Sequence, residues 1–107
     1  MTDPTAPQPG SPTSSSPTLV TRTVIIPNVR GLHARAAAKF VILAERYGAS
    51  IDVLRDGQIV SARSIMGLMM LGAGKGSELE LQADGWDAKE ALDALASLVE
   101  AGFNERD

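Results

Sequence analysis

Apolar and polar positions along this chain switch between simple alternation and a three-to-four-residue period, and each switch predicts an element. Residues 1–18 are Pro, Ser, Thr and Gly with almost no apolar side chains, a composition that buries too little surface to offset its ordering entropy, so this tail is expected to be disordered. Thr21 to Ile26 reads as a strand, stopped by Pro27-Asn28. From Ala34 onward, Ala37, Phe40, Val41, Ala44 and Tyr47 recur at helical spacing, which predicts a helix to about Tyr47 with Gly48 as its left-handed terminator. Ser50 to Leu54 and Gln58 to Ala62 are short extended runs on either side of Asp56-Gly57, the strongest short-range hairpin signal. Ser64 is placed to cap a short helix whose inner side carries Ile65, Leu68 and Met69, and Gly72 to Gly76 closes it as a mobile-looking loop. Glu78 to Gln82 alternates as a fourth strand. After Asp84-Gly85, Asp87-Ala88-Lys89-Glu90 reads as a capping-box variant, and Ala88, Ala91, Leu92, Leu95, Leu98, Val99 and Phe103 form one continuous helical face.

The order is β-α-β-β-α-β-α. Strands apolar on one side only, alternating with amphipathic helices, predict an α+β open-faced sandwich: a four-stranded antiparallel sheet with three helices on one face. The domain is expected to span 19–104, with 105–107 as a C-terminal end. A body of this size holds one modest core.

Composition narrows the chemistry. There is no cysteine and one histidine among 107 residues, which removes disulfides and thiolate metal sites and leaves no metal expected. No run approaches the ~18 apolar residues of a membrane span, and the first twenty residues lack a signal-peptide pattern, so a cytoplasmic protein without membrane contact is expected. The net charge of −3 is unevenly spread. Residues 22–75 carry eight basic groups against three acids, whereas residues 76–107 carry two against nine. The basic part draws an acidic or phosphorylated partner. A pI near 5.0 and four aromatic residues, with no basic cluster interleaved with aromatics, argue against nucleic acid. The loop Gly72 to Ser77 fails as a P-loop, because Met69 and Gly76 stand where glycine and Ser/Thr are required.

The candidate chemistry lies in Gly31-Leu32-His33-Ala34-Arg35-Ala36, where the single histidine falls at the N-cap of the first long helix. The backbone N–H groups of Ala34, Arg35 and Ala36 lack intrahelical acceptors, and the helix dipole is positive there, so the site suits an anion. An arginine is unfavourable with that dipole and makes better sense as a phosphate partner. The combination points to a phosphoryl group carried on His33 itself. A second cluster, Met66, Leu68, Met69 and Met70, is too apolar for one short helix to bury, and flexible methionines at a surface suit docking to several partners.

Gly-Leu-His-Ala-Arg followed by small residues and Phe-Val resembles the active-site motif of HPr, the histidine phosphocarrier family of the bacterial phosphoenolpyruvate phosphotransferase system. Arg63-Ser64-Ile65-Met66-Gly67-Leu68-Met69-Met70-Leu71-Gly72, about thirty residues on, is similar to the family's regulatory serine segment. The resemblance covers roughly 21–102 and implies an open-faced sandwich that accepts phosphate on His33, with Arg35 stabilising it, from enzyme I, and passes it to IIA-type proteins. The protein would then be a monomeric phosphoryl-transfer intermediate without cofactor, not an independent catalyst. Ser64 is implied as a regulatory site for an HPr serine kinase/phosphorylase. The link from Pro27 to His33 is two residues longer than in sugar-system members and resembles the nitrogen-related branch. The family usually has proline after the arginine, where this chain has Ala36. The competing reading is a binding-only regulator whose histidine is never turned over.

Overall fold

In the computed structural model, which describes residues 19–105, β1 (Leu19–Ile25) is followed by α1 (Ala34–Ala44), the hairpin of β2 (Ser50–Arg55) and β3 (Gln58–Ser61), α2 (Ile65–Met70), β4 (Glu78–Asp84) and α3 (Ala88–Glu100), and then by a 3-10 turn at Gly102–Asn104. The order of strands and helices is the one the apolar pattern predicts. The tail at 1–18 lies outside the described residues.

The strands pair antiparallel in the order β1-β4-β2-β3. Val24, Ile51, Val53, Leu79, Leu81 and Ala83 point inward and are buried. Phe40 and Val41 of α1, Leu68 of α2, and Ala91, Leu92, Leu95 and Val99 of α3 cover them. A fully buried aromatic such as Phe40 is worth about 3–5 kcal/mol against alanine. The β2–β3 hairpin closes on Asp56 (φ 49°) and Gly57 (φ 83°), both left-handed, as a two-residue type I′ loop demands, and this sets Arg55 opposite Gln58.

Several local expectations are corrected. α1 ends at Ala44, because its last turn tightens into Arg46 N–H to Leu43 O and Tyr47 N–H to Ala44 O bonds. Gly48 is not left-handed. Its N–H donates to the Asp87 carboxylate (2.8 Å), and a side chain there would meet the Trp86 ring at 3.0 Å. Asp87 is the N-cap residue of α3, as expected, but its side chain makes no capping bond; its buried carboxylate instead accepts from Gly48 and Ala49, tying the start of α3 to the link between α1 and β2. On α2 only Leu68 is buried, while Ile65 and Met69 face outward, since six residues present one narrow stripe to the core. Phe103 fills the core as expected but from the 3-10 turn, after Gly102 (φ 63°) has reversed the chain. The Gly72–Gly76 loop is pinned: Ala73 is buried and its carbonyl accepts from Leu32 (2.9 Å), Gly76 donates to Ile26 (2.7 Å), and Gly74 donates to the Ser77 hydroxyl (3.0 Å).

Candidate functional site

The chain reaches the histidine through a tight turn. Gly31 N–H donates to Asn28 O (3.1 Å) and the Asn28 side chain donates back to Gly31 O (2.9 Å). Gly31 takes φ +66° and passes so close to the Gly72–Gly76 loop that a Cβ would lie 2.5 Å from Ala73 O. Only glycine fits there, and with Leu32 held to Ala73 it aims the next residue. His33 is extended (φ −79°, ψ 179°) and is the N-cap of α1, as its position before the helical pattern predicts.

Both imidazole nitrogens are engaged. Nδ1 accepts from the Arg35 backbone N–H (3.3 Å), while Nε2 faces a carboxylate oxygen of Glu105. An amide N–H only donates and an ionised carboxylate only accepts, so the neutral ring satisfies both with its hydrogen on Nε2 and its lone pair on Nδ1. That lone pair points at the helix N-terminus. Arg35 N–H makes only this long bond, and the N–H groups of Ala34 and Ala36 have no acceptor among the described residues. No acidic side chain in the first turn of α1 competes for them. The Arg35 side chain is exposed and its guanidinium is unpartnered among the described residues. One donor thus lies at the His33 Nδ1 lone pair, and two further N–H groups without an acceptor and an exposed cation belong to the same first turn, an arrangement that suits an anion.

Glu105 is the member of this site that sequence reasoning missed. The carboxylate is largely buried, and its other oxygen accepts from the Asn28 side-chain amide (3.0 Å). Burial pushes the Glu105 carboxyl up, but hydrogen bonds from His33 and Asn28 together with the charges of His33 and Arg30 outweigh it, so the group titrates below its ordinary value. Lys39 fastens the same chain end by donating to Phe103 O (2.6 Å). The available signal was Gly102-Phe103, a reversal with an apolar anchor that turns the end of α3 back toward α1.

Ser64 caps α2 as predicted, its hydroxyl accepting from Gly67 N–H (2.9 Å). Around it Met66 and Met70 are 72% and 71% exposed, and Ile65 and Met69 are also exposed, so they form an apolar patch on the helix beside α1. Leu68 is fully buried and does not belong to that surface, a correction to its place among the docking residues. No three His, Cys, Asp or Glu side chains among the described residues are grouped to hold a metal ion, and no helix there is long and apolar enough to cross a membrane.

The family model of the PTS HPr component phosphorylation site matches residues 20–101. The phosphocarrier protein HPr of Cupriavidus necator is 46% identical over 87 residues, covering 81% of this chain and 98% of its own length. The phosphocarrier protein NPr of Shewanella violacea is also 46% identical, over 88 residues and 97% of its length. Among solved structures, an HPr from Thermoanaerobacter tengcongensis superimposes with a TM-score of 0.78 at 43% identity, covering 82% of this chain and 99% of that one. An open-faced sandwich of the same architecture, similarity across nearly the full length of these carriers, and a family match that includes the His33 turn lead to one assignment: this chain belongs to the HPr family of phosphotransferase-system phosphocarriers.

Proposed function

We propose that the protein carries a phosphoryl group on His33 Nδ1, accepting it from phosphorylated enzyme I and delivering it to a histidine of IIA-type proteins. The observation that supports this most directly is that Nδ1 faces the Arg35 N–H at the start of a helix whose other first-turn N–H groups have no acceptor among the described residues, while Nε2 is occupied by Glu105. In the step, the Nδ1–P bond forms as the donor's bond to phosphorus breaks, with that electron pair returning to the donor. No proton moves. The N–H groups of Ala34, Arg35 and Ala36 and the Arg35 guanidinium then hold the dianion through charge-assisted bonds. The site is open on the Ala34–Arg35 side, so the acceptor reaches phosphorus directly and the group is released again. In this reading the protein is a monomeric intermediate of the cytoplasm, and 19–104 is its carrier domain, with Glu105 of the C-terminal end completing its site.

Partners dock on the patch of Ile65, Met66, Met69 and Met70, on the helix beside the one His33 caps. Ser64 lies within this surface, and phosphorylation there by a serine kinase adds about 1.5–2 negative charges at a helix N-terminus, which the fold accommodates but a partner must desolvate. An HPr and an NPr match equally well, so the proposal rests on the chemistry the two share, and a nitrogen-related duty follows only from the longer Pro27–His33 link. The test is incubation with phosphoenolpyruvate and enzyme I, with mass measured before and after mild acid. One acid-labile phosphoryl group is expected on the wild type and none on His33→Ala; a wild type without the adduct leaves the binding-only regulator.

A further inference from the structure

We propose that Asn28 is a positioning residue: from the turn after β1 it holds the Glu105 carboxylate against His33 Nε2, and so keeps the imidazole presenting its lone pair at Nδ1. Its consequence for transfer rests on the phosphocarrier reading; the positioning itself does not.

Asn28 is 1% exposed, and with Asp87 it makes up the buried polar side chains among the described residues. Its amide nitrogen has two hydrogens and both are used, one on Gly31 O (2.9 Å) and one on Glu105 Oε1 (3.0 Å). Both partners are acceptors that carry no hydrogen. The amide therefore has one possible orientation, because the flipped form would set its oxygen against a carbonyl and a carboxylate. Asn28 Oδ1 is buried with no donor among the described residues. An apolar side chain of similar size would avoid that penalty, so what favours asparagine here is its NH2 group.

The other end of the contact needs such a hold. Glu105 follows three successive left-handed residues, Gly102, Phe103 and Asn104 (φ 63°, 59° and 61°), at the end of the described chain. Phe103 is anchored in the core and Lys39 grips its carbonyl, but neither contact touches the carboxylate. Each Glu105 oxygen has its own partner, Oε1 on Asn28 and Oε2 on His33. A carboxylate held at both oxygens cannot rotate; held by the histidine alone, it competes with water. During acceptance the ring gains positive charge while keeping its hydrogen on Nε2, and a fixed carboxylate on the side of the ring away from phosphorus stabilises that charge without touching the phosphoryl group.

The experiment uses the full chain with 15N-labelled histidine, at a pH where the ring is neutral. The wild type should show a low-field, slowly exchanging Nε2–H proton, the signature of a hydrogen bond to a carboxylate. Asn28→Asp keeps the shape but turns a like charge on Glu105, and should lose that resonance and slow acceptance from phosphorylated enzyme I by about tenfold, the lower end of what losing an orienting partner costs a metal-bound histidine. Glu105→Gln should lose the same resonance, and the double variant should be no slower than the slower single one. Asn28→Ser, too short to reach Glu105 and uncharged, carries the same readout if the aspartate protein does not fold. An unaltered Nε2–H proton in a folded Asn28 variant overturns the proposal, and so does a slowed variant with the resonance unmoved, or a double variant whose losses multiply. A wild type that shows the resonance yet accepts no phosphoryl group refutes the carrier reading and leaves the positioning standing.

Discussion

Ala36→Pro places the family's usual residue back at the third position of α1 and removes one N–H from the anion site. In the wild type that N–H is unpaired among the described residues, one residue beyond the N–H that reaches His33 Nδ1. A hydrogen bond to a charged acceptor contributes about 1.5–3 kcal/mol when well formed. Here Ala34 and Arg35 are exposed and their donors remain, so the expected loss is smaller, about 1 kcal/mol or roughly fivefold in the transfer equilibrium. Proline at this position costs no intrahelical bond, and by stiffening the unfolded chain it adds about 0.4–1 kcal/mol of stability where the backbone accommodates it. The two effects have opposite signs, which separates them from general damage. The assay follows the equilibrium with phosphorylated enzyme I and the phosphohistidine lifetime at fixed pH, beside a thermal melt. A melting temperature held or raised, with phosphoryl retention reduced, is the expected pair of results. A lifetime unchanged or longer in the proline variant, with helix content intact, refutes the idea that this N–H reaches the phosphate.

Other substitutions probe the remaining parts. Arg35→Ala removes a cation from the positive end of α1 and should raise stability by about 0.3–1 kcal/mol while slowing phosphoryl acceptance; loss of both would mean the guanidinium has a structural partner. Ser64→Ala should cost about 0.5–2 kcal/mol in a denaturant titration through the lost bond to Gly67, whereas Ser64→Asp should fold but accept phosphate more slowly, and a Ser64→Asp protein as fast as wild type would count against regulation there. Glu105 has a depressed carboxyl in the folded protein, so its contribution to stability is complete above its ordinary value of 4.5 and is lost as pH falls through the lower folded value. Acid melts of Glu105→Gln should lack that component; identical acid profiles for variant and wild type would contradict the His33–Asn28–Glu105 linkage.

What the sequence made legible follows from how local each cause is. The I′ hairpin at Asp56-Gly57 needs two left-handed residues and nothing else, and His33 and Ser64 cap helices because their own backbones and the next N–H groups define the position. Alternation in Glu78 to Gln82 and the period of Ala88 to Val99 state which side is buried, wherever the neighbours come from. Long-range partners escaped. Asp87 holds the N-cap position its sequence context suggests, yet its carboxylate serves Gly48 and Ala49, 39 and 38 residues away, because the turn after β4 lies against the link between α1 and β2. Glu105 meets His33 across 72 residues, and no period or spacing encodes that contact; it depends on where Phe103 anchors the returning chain. On α2, an apolar cluster with more methionines than one face can hold says that some are exposed, but only packing against its neighbours selects Leu68 as the buried one.

The central claim is that His33 Nδ1 carries the phosphoryl group while Nε2 keeps its hydrogen for Glu105. It is tested most directly by 15N and 31P spectra of the histidine-labelled protein, taken during turnover with phosphoenolpyruvate and enzyme I. The account predicts phosphorus coupled to Nδ1 and a hydrogen retained on Nε2; phosphorus on Nε2, or no phosphohistidine at all, would contradict it.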